Sequence, residues 1–232
     1  MTIFETASAP ETANSPVMLI IPGIDNSGPA HWQSLWEEQH AHAYRVNMES
    51  WTQPHRNSWV TRLNLAVTHA ERPLILVAHS LGCHAVAWWA ALADEEVTQK
   101  VAGALLVAPP EVDAFPTDHR LASFGPTPKA ILPFPSILVA SRNDPYVQFD
   151  RARALAGFWG SRFVDGGYLG HINTETGLGA WEEGQQLAAL VASHAPVPPP
   201  LAELSPHQHW PSSHGVSDGR NAVHRAPVPL TG

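Results

Sequence analysis

Residues 73–93, PLILVAHSLGCHAVAWWAALA, constrain the fold of this chain more than any other stretch. An apolar run of strand character ends at His79, and a run of small and apolar residues of helical character starts at Gly82, so no loop separates the two. The chain must then turn from strand to helix within a residue or two. Such a turn tolerates only small residues two before and two after its apex, and Ala78 and Gly82 meet that demand around Ser80. AHSLG is therefore a GxSxG-like elbow whose first glycine is replaced by Ala78. The turn puts Ser80 at a helix N-terminus, where free amides and the positive end of the dipole favour a developing oxyanion. Spacing alone leaves an ordinary helix N-cap open as the alternative role for this serine.

Around the elbow, short apolar runs alternate with longer segments of helical period, the pattern of parallel strands covered on both faces. Strands are expected over 17–21, 44–48, 74–79, 102–108, 136–141 and 162–164. Helices are expected over 31–41, 58–70, 82–93, 147–158 and 181–193. In the second helix Trp59, Leu63, Ala66, Val67 and Ala70 share one face, with Asn57 or Ser58 available as its cap. The fold class is α/β, a mostly parallel sheet of about six strands with helices on both faces and no large cap domain. The expected organisation is a flexible segment over 1–16, one domain over 17–195, and a disordered Pro- and His-rich tail over 196–232. Residues 109–135, rich in Pro and Gly, are expected to form a long functional loop with one helical turn.

A serine hydroxyl needs a base, and the base needs a group to fix its tautomer. In an α/β-hydrolase chain these follow the serine as acid, then histidine. Asp144, in SRNDPY just past the strand SILVAS, fits the acid position, although Asp-Pro is also an ordinary turn pair. Asp150 and Asp165 are second choices. Of 14 histidines, His171 alone lies after the acid, past a strand and before the closing helix, on the glycine-rich loop DGGYLGHIN. His79 and His84 are expected to point away from the site. The backbone N–H of Leu81 is the expected first oxyanion donor and that of Ile24, beside Gly23, the second. Trp32, Trp51 and Phe115 are candidates to line an acyl pocket, and each is equally an ordinary packing residue. Cys83, three residues past the serine, reads as a small core residue.

With one cysteine, no internal disulfide can form and a thiolate metal site is excluded. The net charge of −8, with no run of Lys or Arg, argues against nucleic acid as a partner. The N-terminal segment lacks a basic and apolar leader pattern, and no apolar run approaches the roughly 20 residues of a membrane span. A cytoplasmic protein without membrane association is the expectation. No metal or cofactor is needed for the chemistry, and oligomeric state is not specified.

PGIDNSGPAHWQSLWE, VAHSLGCHAVAWWA, SRNDPYV and GHINTETGLGAWEEG occur in that order, and together they are far more specific than the elbow alone. In these the chain, over roughly 17–192, resembles the small α/β-hydrolase serine hydrolases of the YdeN and retinoblastoma-binding-protein type. The resemblance implies a hydrolase without a large cap, with nucleophile, acid and base at Ser80, Asp144 and His171. The reaction expected is cleavage of a small or medium carboxylic ester through an acyl-enzyme. The alternatives are acyl transfer by the same three residues, or a binding protein that keeps the fold without turnover.

Overall fold

The computed structural model describes residues 16–193 apart from Phe115. The segments 1–15 and 194–232, and the candidate pocket residue Phe115, lie outside the described residues. Six strands form one wholly parallel sheet: β1 (Val17–Ile21), β2 (Ala43–Arg45), β3 (Leu74–His79), β4 (Val101–Val107), β5 (Ser136–Ala140) and β6 (Arg162–Asp165), in the order β2-β1-β3-β4-β5-β6. Among the described residues six α-helices connect or cover them: α1 (Trp32–Gln39), α2 (Arg56–Thr68), α3 (Leu81–Leu92), α4 (Glu95–Thr98), α5 (Phe149–Trp159) and α6 (Glu182–Ala192).

The period-two alternation of the strands divides the core into two layers. Leu19, Ile21, Leu76, Ala78, Leu106, Leu138 and Ala140 face one layer, which contains Trp59 and Leu63 of α2, Val86 and Trp89 of α3, and Leu155 and Trp159 of α5. Ile20, Ile75, Val77, Leu105, Val107, Ile137 and Val139 face the other, with Trp32 and Trp36 of α1 and Ala188 and Val191 of α6. This accounts for the near-continuous apolar runs: every residue of β3 and β5 is buried, as a strand covered on both faces requires.

Most boundaries shift by a residue or two from the sequence expectation, and the larger differences lie at β2, α2 and α4. β2 ends at Arg45, because beyond Val46, whose amide still reaches the Ile20 carbonyl, the chain leaves this edge of the sheet and buries Met48 instead. α2 starts at Arg56, and neither Asn57 nor Ser58 caps it; the cap position is His55, which makes no side-chain cap bond. α4, only 4 residues long, was not expected. The segment 109–135 contains a 3-10 helix of 6 residues at His119–Phe124, about two turns where one was expected. No helix of the described residues is long and apolar enough to cross a membrane.

The topology sets where chemistry can occur. The chain passes from β1 outward to the edge strand β2 and then back across to β3, so the loops leaving β1 and β3 diverge. A crevice opens there at the carboxyl ends of the strands, the switch point where open α/β sheets take ligands.

Candidate active site

Ser80 lies between β3 and α3 with φ 54 and ψ −127, a conformation that L-residues rarely adopt. The turn is enforced by packing. A Cβ on Gly82 would lie 2.3 Å from the Ile21 carbonyl oxygen and 2.8 Å from that of Pro22, so α3 can approach the end of β1 only through a glycine. A Cβ on Gly23 would lie 2.7 Å from Ser80 Cβ. Ser80 occupies the N-cap position of α3, yet its side chain makes no cap hydrogen bond. Its Oγ meets His171 Nε2 at 2.9 Å instead.

On the other side of the imidazole, His171 Nδ1 lies 3.0 and 2.9 Å from the two carboxylate oxygens of Asp144. A carboxylate there only accepts, so Nδ1 carries the proton and Nε2 is free to accept the Ser80 hydroxyl proton. The Asp144 side chain is fully enclosed, and its Oδ1 also accepts the Tyr146 amide at 2.9 Å. The Asp-Pro turn and the role beside His171 are thus one structure. Asp165 is engaged elsewhere, by Arg142, and Asp150 lies exposed in the first turn of α5. Cys83 is fully buried against the Ala78 and Val107 carbonyls, and burial pushes its thiol far up, out of reach of thiolate chemistry.

Ile24 shares the pocket lining with Ser80 and Leu81 follows it as the first residue of α3, and neither backbone amide is used in a loop or turn hydrogen bond among the described residues. The loop that carries Ile24 is braced from below. Gln33 Nε2 donates to the Val77 carbonyl at 3.0 Å while its Oε1 accepts from Ser27 Oγ at 2.7 Å, and Arg45 binds Asn26 Oδ1 and the Ser27 carbonyl. Donors fixed before a substrate arrives need no reorganisation during reaction.

A pocket of about 310 Å³ opens over Ser80 and His171. Its walls include His31, His79, Pro110, Leu121, Tyr146 and Asn173. At the rim Arg120 pairs with both oxygens of Asp25 and with Asp118, tying the 109–135 segment to the loop after β1. These hydrogen bonds hold the Asp118 carboxyl below its usual range. His31 caps α1 through Nδ1, which accepts the Gln33 amide, while its Nε2 has no partner. Burial, with Arg45 and His171 nearby, lowers its pKa to about 4.

Two of the expected pocket residues do not line this pocket. Trp32 is 1 % exposed, packed between Trp36 and Trp181, with its Nε1 donating to the Ile172 carbonyl. Trp51 packs edge-on against Trp59 on the opposite layer. His84 is buried as expected, against Trp159 and the Pro110 carbonyl. His79 is not turned away. As the next odd-numbered residue after Ile75 and Val77 it emerges on the α1 and α6 side, with its ring 5.0 Å from that of His171. The sequence signal for it was the strand parity, usable only once the helices covering each face are known.

The sequence model of the serine hydrolase family matches residues 18–189. A crystal structure described as a YdeN-like hydrolase, from Pectobacterium atrosepticum, is 35% identical and covers 78% of this chain and 92% of its own, with a TM-score of 0.66. The ydeN gene product of B. subtilis is 22% identical over 77% of this chain and 100% of its own, with a TM-score of 0.62. Est1E from Butyrivibrio proteoclasticus, solved with ferulic acid bound, shares the fold at 13% identity over 79% of this chain and 89% of its own, with a TM-score of 0.57. No curated protein sequence matches the chain. With the family match spanning the whole sheet from β1 into α6, and a 35% identical relative of YdeN type matched over nearly its full length, the chain belongs to the serine hydrolase family.

Proposed function

We propose that this protein hydrolyses a small or medium carboxylic ester through an acyl-enzyme, with Ser80 as nucleophile, His171 as base and Asp144 as the group that orients it. The observation that carries the proposal is the unbroken line of contacts from the enclosed Asp144 through His171 to Ser80 Oγ, each between 2.9 and 3.0 Å. Ester chemistry is supported by a pocket of modest size and by the likeness in fold to Est1E, which was solved with ferulic acid bound.

In the first step Ser80 Oγ attacks the carbonyl carbon while its proton passes to His171 Nε2. The imidazolium so formed keeps its Nδ1–H on Asp144, and the negative charge on the former carbonyl oxygen falls to the Ile24 and Leu81 amides. As the tetrahedral species collapses, the carbon–oxygen bond to the alcohol breaks and the alcohol leaves with the proton from Nε2. Water then gives a proton to the same nitrogen and attacks the acyl-enzyme, releasing the acid and restoring Ser80.

A fluorophosphonate probe with a mass readout of the adduct, followed by a panel of 4-nitrophenyl esters of increasing acyl length, tests this reading. Ser80 should carry the label, and Ser80→Ala should abolish labelling and lower kcat by about 10⁴-fold or more. Label on another residue, or an active Ser80→Ala protein, would overturn it.

A further inference from the structure

His171 stands on a loop whose backbone has little of its own to hold it. Gly167, Gly170 and Ile172 have φ of 79, 56 and 50. The two glycines adopt such angles freely, but a β-branched residue there is an outlier and persists only where its surroundings over-determine it. The φ and ψ of Ile172 are the angles between the peptide plane that ends in the His171 carbonyl and the plane that ends in its own. Each of those two carbonyls receives one buried side-chain donor. His79 Nε2 lies 2.9 Å from the His171 oxygen, and Trp32 Nε1 donates at 2.9 Å to the Ile172 oxygen. A carbonyl can only accept, so His79 must carry its proton on Nε2. Both donors come from rigid ground: His79 is the last residue of β3 and Trp32 the first of α1.

Resting on the reading of His171 as the base, we propose that His79 and Trp32 are positioning residues that clamp the two peptide planes around Ile172 and thereby set the distance from His171 Nε2 to Ser80 Oγ. Neither needs to touch the substrate. Without one of them, Ile172 can relax toward negative φ, and the imidazole, attached to the adjoining plane, swings with it. Displacements of about 1 Å in such a group reduce rates about 10²-fold.

Steady-state hydrolysis of a 4-nitrophenyl ester by His79→Phe and His79→Gln tests the clamp. The first keeps a flat ring and removes the donor; the second returns an N–H at about the reach of Nε2. Expected are a kcat about 10²-fold lower for His79→Phe with KM within about 3-fold, and recovery by His79→Gln to within about 5-fold of wild type. A merely structural role would make the two variants equally poor and would not be rescued by the amide. Trp32→Phe carries the same test from the other carbonyl if His79→Phe does not fold. Because both donors restrain one residue, His79→Phe combined with Trp32→Phe should be little worse than the more damaging single change. An unchanged kcat in His79→Phe, equal losses in both His79 variants, or independent losses in the double variant would overturn the clamp. Fluorophosphonate labelling of Ser80, lost in Ser80→Ala, would still stand in that event, so the two readings fail separately.

Discussion

Ser80 and His171 face each other at 2.9 Å, yet the chain holds them by opposite means. The elbow is held by exclusion: Gly23 and Gly82 lie so close to neighbouring backbone and to Ser80 that neither has room for a methyl group. The base loop is held by polar clasps over open ground. Gly167 and Gly170 have no heavy atom within 4 Å of where a Cβ would stand. The loop is instead fastened by side chains on its backbone: Ser141 Oγ and Asn143 Oδ1 accept from its amides, and Thr176, His79 and Trp32 donate to its carbonyls. A steric hold gives one geometry or none, whereas a set of hydrogen bonds can be weakened one at a time. Ser80, the proposed nucleophile, sits in strained backbone and needs the first kind of hold; the loop of His171, the proposed base, tolerates the second.

The difference can be broken most sharply at Gly82. In Gly82→Ala the new methyl falls 2.3 Å from the Ile21 carbonyl oxygen, and backbone on both sides must separate. The atoms that move belong to the end of β1 and lead directly to Ile24, so stability and the proposed oxyanion donor should suffer together. Thermal unfolding should show a loss of about 3 kcal/mol, equivalent to a Tm lower by about 6–12 °C, and the rate of fluorophosphonate labelling should fall about 10²-fold. A variant with wild-type Tm would mean that α3 does not rest on β1 as described.

Acid sharpens the comparison from the other side, because polar holding titrates and steric holding does not. His31, in the pocket wall next to His79, ionises at about 4 when folded and at its ordinary value of about 6.5 when unfolded. Between those values the unfolded chain binds the additional proton, so stability is full above pH 6.5 and declines as the pH falls toward 4. By pH 5 this ring alone should remove about 2 kcal/mol relative to pH 7.5. Urea unfolding of wild type and His31→Asn at both pH values isolates that amount, since Asn can still cap α1 and lacks the titrating ring. Equal pH slopes in the two proteins would show that His31 is not held neutral.

Much of this arrangement is written locally, and the exceptions have one physical cause. The elbow needed only Ala78, Ser80, Gly82 and the absence of a linker, because its constraint is steric and acts over five residues. The parallel sheet followed from strands buried on both faces. The relation of Asp144 to His171 followed from chain order at the carboxyl edge of the sheet. What could not be read were partners chosen across layers. In β3 every residue is buried, so alternation does not announce which face His79 takes; that depends on α1 and α6 covering the odd-numbered side. Trp32 read equally as a pocket residue or as ordinary packing, and only the fold decides: its indole turns into the layer of Trp36 and Trp181 and reaches the loop of His171 through the Ile172 carbonyl. Arg120 was hidden for the same reason, since its carboxylate partner in the loop after β1 is 95 residues away.

The smallest effect comes from the same chemical change made on the base loop. Gly170→Ala also adds one methyl, but here it meets nothing within 4 Å and costs only what φ 56 imposes on an L-residue. That penalty is about 1–2 kcal/mol, and the stiffer unfolded chain returns about 0.4–1 kcal/mol of it, leaving a loss of about 1 kcal/mol and a Tm lower by about 2–4 °C. The amide of residue 170 still donates to Asn143 Oδ1, and the clasps on the carbonyls of 171 and 172 are untouched, so kcat should stay within about 3-fold of wild type. Measured side by side, the alanine substitutions at 82 and 170 differ only in what surrounds the added carbon. Equal damage from the two would mean that the base loop is also held by exclusion, and the polar clasps would then be a consequence of its shape and not the cause of it.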